Sequence, residues 1–338
     1  MSAYRPPRQR GRRGASLSIY QRAAASPDAK RTGPPNRRLS RWQPLIAVAV
    51  LAMTAGLAGY VEWRAQEIDR SQLGPVSFGE EFDGPLSLWS ASELGGRWKT
   101  NYATGDQAGL ESRRLLPDEQ QVYADGQLGV DPFSVENGVL TIAADRTPPD
   151  MMGKLWFQPY TSGLLTTEKS FSQLYGYFEM RAKLPYGHGL WPAFWLVPET
   201  GDWPQEIDVV EAVGDEGPSA VHVTEHHGAQ GLVEKVSFPA LVKNYADYNI
   251  YGVLWRPDAI IWYINGRQVA RTPTPPEMHK PMYMLVNLGV GGDWPGAPDA
   301  STPFPAKMQI DWIRAYPLAD VSAARPPQPT GGTDGFSG

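Results

Sequence analysis

The sequence predicts an all-β domain built from two packed antiparallel sheets. The chain of 338 residues contains 35 Gly, 32 Pro and no Cys, and its apolar residues follow no long helical periodicity. Frequent turn formers argue against a helical bundle, and the lack of Cys excludes a disulfide scaffold. Because all-β domains commonly reach about 200 to 250 residues, one large domain with tails fits this length.

Short segments of alternating polarity predict the strands of this fold. The pair Asn265-Gly266 lies between two apolar runs and predicts a hairpin, since a type I′ turn needs positive φ at both positions. Residues 175–184 show the period of a half-buried strand, with four apolar side chains on one face: Phe178, Met180, Ala182 and Leu184. Further strands are predicted at residues 138–144, 219–226, 248–256, 282–289 and 308–316.

The charge of the chain is divided between its two ends. Residues 1–43 contain eleven Lys or Arg and one acid, a net charge of +10, so the remainder carries −15 of the total −5. Residues 44–62 follow, uncharged as far as Val61, and are long enough to cross a ~30 Å hydrocarbon core. Because Lys and Arg mark the cytoplasmic side, we predict a single N-terminal transmembrane helix in a bacterial inner membrane, with the body in the periplasm. A cleaved secretory signal, which would release the body, is the alternative.

The other segments complete the domain organisation. Residues 1–43 are predicted to be a disordered cytoplasmic tail, and the adjacent membrane span explains their basic charge without a nucleic-acid partner. Residues 63–74 are expected to form a polar linker, 75–318 the folded domain, and 319–338 a disordered tail rich in Pro, Gly and Ser. The sequence leaves the oligomeric state open.

Three carboxylates stand within six residues of an otherwise apolar strand: Glu206, Asp208 and Glu211. Side chains alternate along a strand, so Glu206 and Asp208 share a face. Glu211 would point into the core unless a β-bulge near Val209 or Val210 resets the alternation. With that bulge, all three acids line one groove.

Crowded acids raise the pKa of at least one carboxyl. A retaining glycosidase uses this situation, because it needs one ionised carboxylate and one protonated carboxyl about 5 to 5.5 Å away. The alternatives are a calcium site and a solvated strand face. Trp191, Trp195 and Trp203 precede the acids closely and favour sugar binding, and Trp203 in its Pro-bounded turn is the better subsite wall.

These residues resemble glycoside hydrolase family 16, the β-jelly-roll endo-glycanases that include laminarinases and lichenases. The family signature Glu-x-Asp-x-x-Glu matches the three acids, and similar segments lie at residues 78–84, 175–181, 189–196 and 310–316. The resemblance covers about residues 76–316 and implies a concanavalin-like jelly-roll sandwich. Residues 203–211 and 278–288 are most similar to bacterial endo-β-glycanases that cut acidic exopolysaccharides of the succinoglycan type.

The resemblance implies a role for each acid. Glu206 would be the nucleophile and Glu211 the general acid/base, while Asp208 would help to set their protonation. No cofactor is needed for this chemistry, but Asp311 matches a position that often binds a structural calcium together with backbone carbonyls, here near Glu80. Substrate contacts are expected at Trp191, Trp203, His222, Trp294 and Arg181.

Two further alternatives concern the histidines and the substrate. Zinc binding by His222, His226 and Glu225 is disfavoured, because histidines four residues apart pair on a helix whereas this stretch is predicted as a strand. Where laminarinases have an Asn-Asn-Glu stretch, this chain has residues 117–121, Pro-Asp-Glu-Gln-Gln, which argues against plain laminarin as the substrate. Four basic residues would suit an anionic glycan instead, although the charge of −15 on the body opposes long-range attraction to one: Arg113, Arg114, Arg181 and Lys183.

The sequence thus predicts a membrane-anchored retaining endo-β-glycanase. Its expected substrate is an extracellular polysaccharide with β-1,3 or β-1,3-1,4 glucosidic bonds, and its expected setting is exopolysaccharide processing. A carbohydrate-binding jelly roll without turnover and a transglycosylase using the same acids are the alternatives.

Overall fold

The computed structural model describes residues 66–89, 95–102, 109–114, 116–228 and 233–319. Within these ranges the chain forms strands and four short 3₁₀ turns, at Arg70–Gln72, Leu110–Ser112, Gly214–Glu216 and Pro276–Met278. None of the helices in this part of the chain is long and apolar enough to cross a membrane. The predicted cytoplasmic tail (1–43), the transmembrane helix (44–62) and all but the first residue of the C-terminal tail lie outside the described residues.

The described chain contains sixteen strands. In chain order they are β1 (Phe78–Glu80), β2 (Gln121–Tyr123), β3 (Phe133–Glu136), β4 (Val139–Arg146), β5 (Tyr160–Ser162), β6 (Leu164–Thr166), β7 (Gly176–Lys183), β8 (Leu190–Pro198), β9 (Glu206–Glu211), β10 (Ala220–His227), β11 (Glu234–Leu241), β12 (Asn249–Trp255), β13 (Ile260–Ile264), β14 (Arg267–Thr272), β15 (Met282–Val290) and β16 (Ala306–Tyr316).

The strands form two sheets, which confirms the predicted all-β jelly-roll sandwich. The ten-stranded sheet follows the order β14-β13-β12-β7-β16-β4-β5-β2, with β1 paired to β16 and β3 to β4. The six-stranded sheet follows the order β11-β10-β9-β8-β15-β6. The prediction of purely antiparallel sheets is wrong for one pair, because β2 and β5 run parallel. A long connection between these two strands permits that arrangement.

The hydrophobic core contains the apolar faces identified from the alternation. Phe178, Met180 and Ala182 of β7 are fully buried in it, as is Ile207 of β9. The hairpin between β13 and β14 turns at Asn265-Gly266, where φ is 51° and 79°. Both central residues therefore have the positive φ that the type I′ prediction required.

Residues 66–74, which belong to the predicted polar linker (63–74), pack against the ten-stranded sheet. Arg70 forms a two-pronged ion pair with Glu179 of β7, with nitrogen to oxygen distances of 3.2 and 2.8 Å. Its guanidinium also lies 5.5 Å from the ring centre of Tyr177 and 5.7 Å from that of Tyr316. Because Arg70 and Glu179 are 109 residues apart, the local composition around Arg70 could not reveal this ion pair and suggested a linker.

Replacing Arg70 by Met should destabilise the domain. Glu179 is fully buried, so the substitution leaves a carboxylate without its cation. We expect the free energy of unfolding to fall by about 2 kcal/mol, less than for a fully buried pair because half of Arg70 is exposed. Urea denaturation measures the change. Adding Glu179→Gln should restore part of the loss, and equal stability of Arg70→Met and the wild type would refute a stabilising role for this segment.

Candidate active site

The three acids of the predicted catalytic strand lie on one face of β9, in the interior of the six-stranded sheet. The pairing with β8 skips one residue of β9 between Asp208 and Val210. The pairing with β10 shifts between Asp208 and Glu211. Val209 is therefore the extra residue of a β-bulge, as predicted, and the bulge returns Glu211 to the face of Glu206 and Asp208.

The acids lie at the base of an open cleft on the outer face of this sheet. They line a cavity of about 290 Å³ whose walls include Trp191, Trp203 and Trp294. A second hollow of about 320 Å³ shares Trp195 and Trp203 with the first and extends past Arg114. We refer to these two connected hollows as the cleft. Its aromatic walls and acidic base agree with the predicted sugar-binding groove.

Burial and mutual repulsion control the protonation of the acids. Glu206, Asp208 and Glu211 are only 8%, 2% and 6% exposed. Burial raises the pKa of Glu206 well above its usual range, and the charge and hydrogen bond of Asp208 raise it further. Burial and the Asp208 charge raise the pKa of Glu211 to about 8, although the Lys235 ammonium opposes the shift. Glu211 therefore carries a proton at neutral pH.

Two hydrogen bonds orient the Glu211 carboxyl. The indole Nε1 of Trp191 donates to Oε1 at 3.0 Å, and the Thr224 hydroxyl lies 3.5 Å from Oε2. Both contacts lower the pKa of Glu211, because they stabilise its ionised form, but burial outweighs them. Glu211 is thus held in place and remains able to give up its proton.

Removing the indole donor should change the pH dependence of activity. Trp191→Phe keeps an aromatic ring but removes the N–H that stabilises ionised Glu211. We expect the pKa of Glu211 to rise further, so that the alkaline limb of kcat/KM moves to higher pH. A pH–rate profile of both proteins measures this. An alkaline limb that stays in place would show that this hydrogen bond does not control Glu211.

The same carboxyl should make the stability of the domain depend on pH. The pKa of Glu211 is about 8 in the folded protein and about 4.3 when unfolded. The folded state therefore loses stability as pH rises from about 4 to 8. Glu211→Gln stays neutral, so it should be more stable than the wild type by on the order of 2 kcal/mol at pH 8, with no such advantage at pH 4. Urea denaturation at both pH values measures this, and a pH-independent difference would contradict it.

Strand β10 places His226 beside the acids, a residue that the sequence offered only in the disfavoured zinc set. His226 pairs with Glu206 in the strand register. Its Nε2 lies 3.4 Å from Oδ2 of Asp208 and 3.7 Å from Oε1 of Glu206. His226 therefore lies within reach of both carboxyl groups. Strand pairing could have revealed this contact, but only once the position of the bulge was known.

The residues that could bind a metal ion differ from the zinc set considered from the sequence. In the part of the chain that the structure describes, Glu206, Asp208 and His226 bring their donor atoms within 4.8 Å of one another and could hold a cation. The carboxyl of Glu225 instead accepts a hydrogen bond from Thr272 of the ten-stranded sheet, at 3.1 Å. The set His222, His226 and Glu225 therefore does not converge, because Glu225 points to the opposite face of β10.

The predicted contacts His222, Trp191 and Trp294 lie together beside Glu211. His222 faces Glu211 across the strands, and its Nε2 is 2.6 Å from Oε2 of Glu216. Trp294 packs edge-on against the rings of His222 and Trp191, with centroid distances of 5.0 and 5.5 Å. The fourth predicted contact, Trp203, is 62% exposed and lines both hollows of the cleft.

Lys235 is a further residue of the cleft that the sequence did not reveal. It lies on the edge strand β11, opposite His226, and lines the cavity with the three acids. Its ammonium is 5.2 Å from the ring centre of Trp294. Nothing in the local sequence marks this Lys, because its proximity to the acids arises from two successive strand pairings.

The prediction that Arg181 binds substrate beside the acids is wrong. Arg181 lies on β7 of the ten-stranded sheet, where Nη1 contacts Oδ2 of Asp311 on β16. Its guanidinium also lies 4.3 Å from the ring centre of Tyr248. The alternation of polarity along β7 correctly gave Arg181 an outward-facing side chain. It could not show in which of the two sheets β7 lies.

The same ion pair bears on the calcium predicted at Asp311. Calcium requires several oxygen ligands and is attracted by uncompensated carboxylates. The Asp311 carboxylate is bound by the Arg181 guanidinium. A structural calcium held by Asp311 and backbone carbonyls near Glu80 stays a prediction.

Sequence comparison identifies known proteins that are similar to this chain. The sequence profile of glycosyl hydrolases family 16 matches residues 123–314. The chain belongs to this family. Two Rhizobium meliloti (strain 1021) proteins are similar to this family-16 chain: endo-1,3-1,4-beta-glycanase ExsH at 40% identity over 257 residues, and endo-1,3-1,4-beta-glycanase EglC at 39% over 255. Each alignment covers 74% of the chain and 53% of the relative, so the chain spans about half the length of these proteins.

Solved structures of family-16 type share the fold. The laminarinase catalytic domain from Thermotoga maritima superposes with a TM-score of 0.58 at 28% identity, covering 72% of this chain and 98% of that domain. The endo-beta-1,3-glucanase from Pyrococcus furiosus gives a TM-score of 0.58 at 31% identity, covering 76% and 99%. The jelly-roll sandwich of this family-16 protein is thus also supported by structural similarity.

Proposed function

We propose that this family-16 protein is a retaining endo-β-glycanase that hydrolyses β-1,3 or β-1,3-1,4 glucosidic bonds in a polysaccharide. The observation that carries the proposal is the convergence of three buried acids at the base of an open cleft, where the pKa of Glu211 is raised to about 8. The two Rhizobium relatives, named endo-1,3-1,4-beta-glycanases at 40% and 39% identity, support the choice of linkage.

The proposed reaction proceeds in two displacements. In the first, the Glu206 carboxylate attacks the anomeric carbon while Glu211 gives its proton to the glycosidic oxygen, so the C–O bond breaks and the leaving chain departs as an alcohol. The product on the enzyme is a glycosyl ester of Glu206. In the second, the Glu211 carboxylate takes a proton from water, and the water attacks the same carbon and releases Glu206. Two inversions retain the configuration.

Asp208 couples these two steps through its charge. In the free site its carboxylate raises the pKa of both Glu206 and Glu211. Formation of the ester removes the negative charge of Glu206, so the pKa of Glu211 falls and its carboxylate can act as the base. The positive charge of Lys235 favours the ionised Glu206 that the first attack requires. Activity should therefore follow a bell-shaped pH profile.

Sugar binding is assigned to the walls of the cleft. Trp191, Trp203 and Trp294 line the cavity beside the acids, and indole faces pack well against the C–H surfaces of sugar rings. Trp203 offers the most accessible ring, and His222 supports Trp294 from one edge. Removing the Trp203 ring should therefore raise KM more than it lowers kcat.

We further propose exopolysaccharide processing as the biological setting. The basic segment 1–43 followed by the apolar segment 44–62 supports an inner-membrane anchor with the domain in the periplasm, and secretion after signal cleavage is the alternative. Of the basic residues that favour an anionic glycan, Arg114 lines the cleft. Arg113 is instead paired with Asp125 at 2.7 Å.

The test is incubation of the full chain with mixed-linkage β-glucan, laminarin and a succinylated exopolysaccharide, followed by sizing of the products. We expect rapid shortening of at least one polymer, as endo cleavage requires, and no shortening by Glu206→Gln. Binding without any shortening would favour a carbohydrate-binding protein. Products longer than the starting chains would identify a transglycosylase.

A further inference from the structure

Residues 147–159 connect β4 to β5 and contain an unfavourable turn. Trp156 and Phe157 are consecutive residues with φ of 52° and 58°. Positive φ is disfavoured for any residue with a bulky side chain, and two such residues in succession are a clear exception. Unfavourable backbone of this kind is retained where the surrounding structure enforces it, often at ligand sites.

The turn presents one aromatic ring to solvent instead of burying it. Phe157 is 73% exposed, whereas Trp156 is partly buried. Hydrogen bonds from Phe157 N to Met152 O at 2.8 Å and from Gln158 N to Leu155 O at 3.0 Å hold the turn in this conformation. Core packing therefore does not explain why the chain places Phe157 there.

Gln158 connects this turn to the wall of the cleft. Its Nε2 lies 3.4 Å from the carbonyl oxygen of Trp156, and its Oε1 lies 3.4 Å from Nη1 of Arg114. The same guanidinium nitrogen donates to the carbonyl oxygen of Glu119 at 3.2 Å. Arg114 and Glu119 each line one hollow of the cleft. Phe157 thus directly precedes a residue whose side chain contacts the wall of the cleft.

We propose that Phe157 is a distal sugar-binding platform, which stacks on a hexose of the polysaccharide beyond the part enclosed by the cleft. This inference rests on the proposed function. An open cleft lets a long chain continue past its ends, and an exposed aromatic ring at the rim offers an apolar face to the next sugars. The constrained turn holds the ring in its exposed position before the polysaccharide arrives, which limits the entropy lost on binding.

The test compares a long β-glucan with a short aryl oligosaccharide that ends before the rim. Phe157→Gly removes the ring but suits positive φ, so the variant should fold at least as stably as the wild type. We expect its kcat/KM to fall about fivefold on the polymer, mainly through KM. The short substrate should be cleaved at the wild-type rate. Phe157→Tyr should behave as the wild type on both.

Leu241→Ala is the matched control, since Leu241 is an exposed apolar residue on β11, 76% accessible. It should leave both rates unchanged. Wild-type kcat/KM of Phe157→Gly on the polymer would overturn the platform, and so would an equal loss on both substrates, which would indicate damage at the catalytic centre. A wild-type protein that cleaves neither substrate would refute the proposed function itself and this inference with it.

Discussion

Glu206→Gln should lower kcat/KM on β-glucan by at least about 10⁴-fold, because an amide cannot form the glycosyl ester. The substitution keeps the shape of a side chain that is only 8% exposed. It also removes one of three crowded acids, so the variant should remain folded. Steady-state kinetics gives the size of the loss, and circular dichroism confirms the fold.

Azide distinguishes the loss of a nucleophile from general damage. In a second variant, Glu206→Ala, the truncated side chain leaves space for azide to attack the anomeric carbon directly, with Glu211 still supplying the proton. We expect a single inversion and therefore an α-glycosyl azide from a β-linked substrate. Activity of either variant within tenfold of the wild type without azide would show that Glu206 is not the nucleophile.

Glu211→Gln should have an effect that depends on the leaving group. On the polymer we expect a loss of about 10² to 10⁴-fold, because the departing sugar oxygen needs a proton. An aryl glycoside with an acidic phenol needs no proton, so its first step should be nearly unaffected. Kinetics on both substrates measures this contrast.

The pH profile and azide give two independent checks on Glu211. The alkaline limb should disappear from the first step of the variant, since no carboxyl with a pKa of about 8 remains. Azide should restore the second step and yield a β-glycosyl azide, because the ester on Glu206 still forms. An equal loss on the polymer and the aryl glycoside would contradict the acid role.

Local sequence was sufficient to predict the acids and their strand. Glu206, Asp208 and Glu211 can share a face only if one extra residue interrupts the alternation, and the bulge at Val209 is that residue. The hairpin at residues 265–266 was equally predictable, because its turn depends on two adjacent residues. Both features are determined within a few positions of the chain.

Features that depend on distant pairing were missed or misplaced. His226 and Lys235 reach the acids through the register of three strands. Arg181 alternates correctly along its strand but belongs to the other sheet. Arg70 was placed in a linker because its partner Glu179 is 109 residues away. The alternation of side chains shows which face of its strand a residue occupies. The sheet that contains the strand, and the strands that pair with it, follow only from the assembled fold.

The central claim is that Glu206 and Glu211 carry out a double displacement. Proton NMR of the first sugar released from β-glucan, recorded before mutarotation, tests it most directly. Our account predicts that the new reducing end appears as the β-anomer and converts slowly to the equilibrium mixture. Initial appearance of the α-anomer would contradict it.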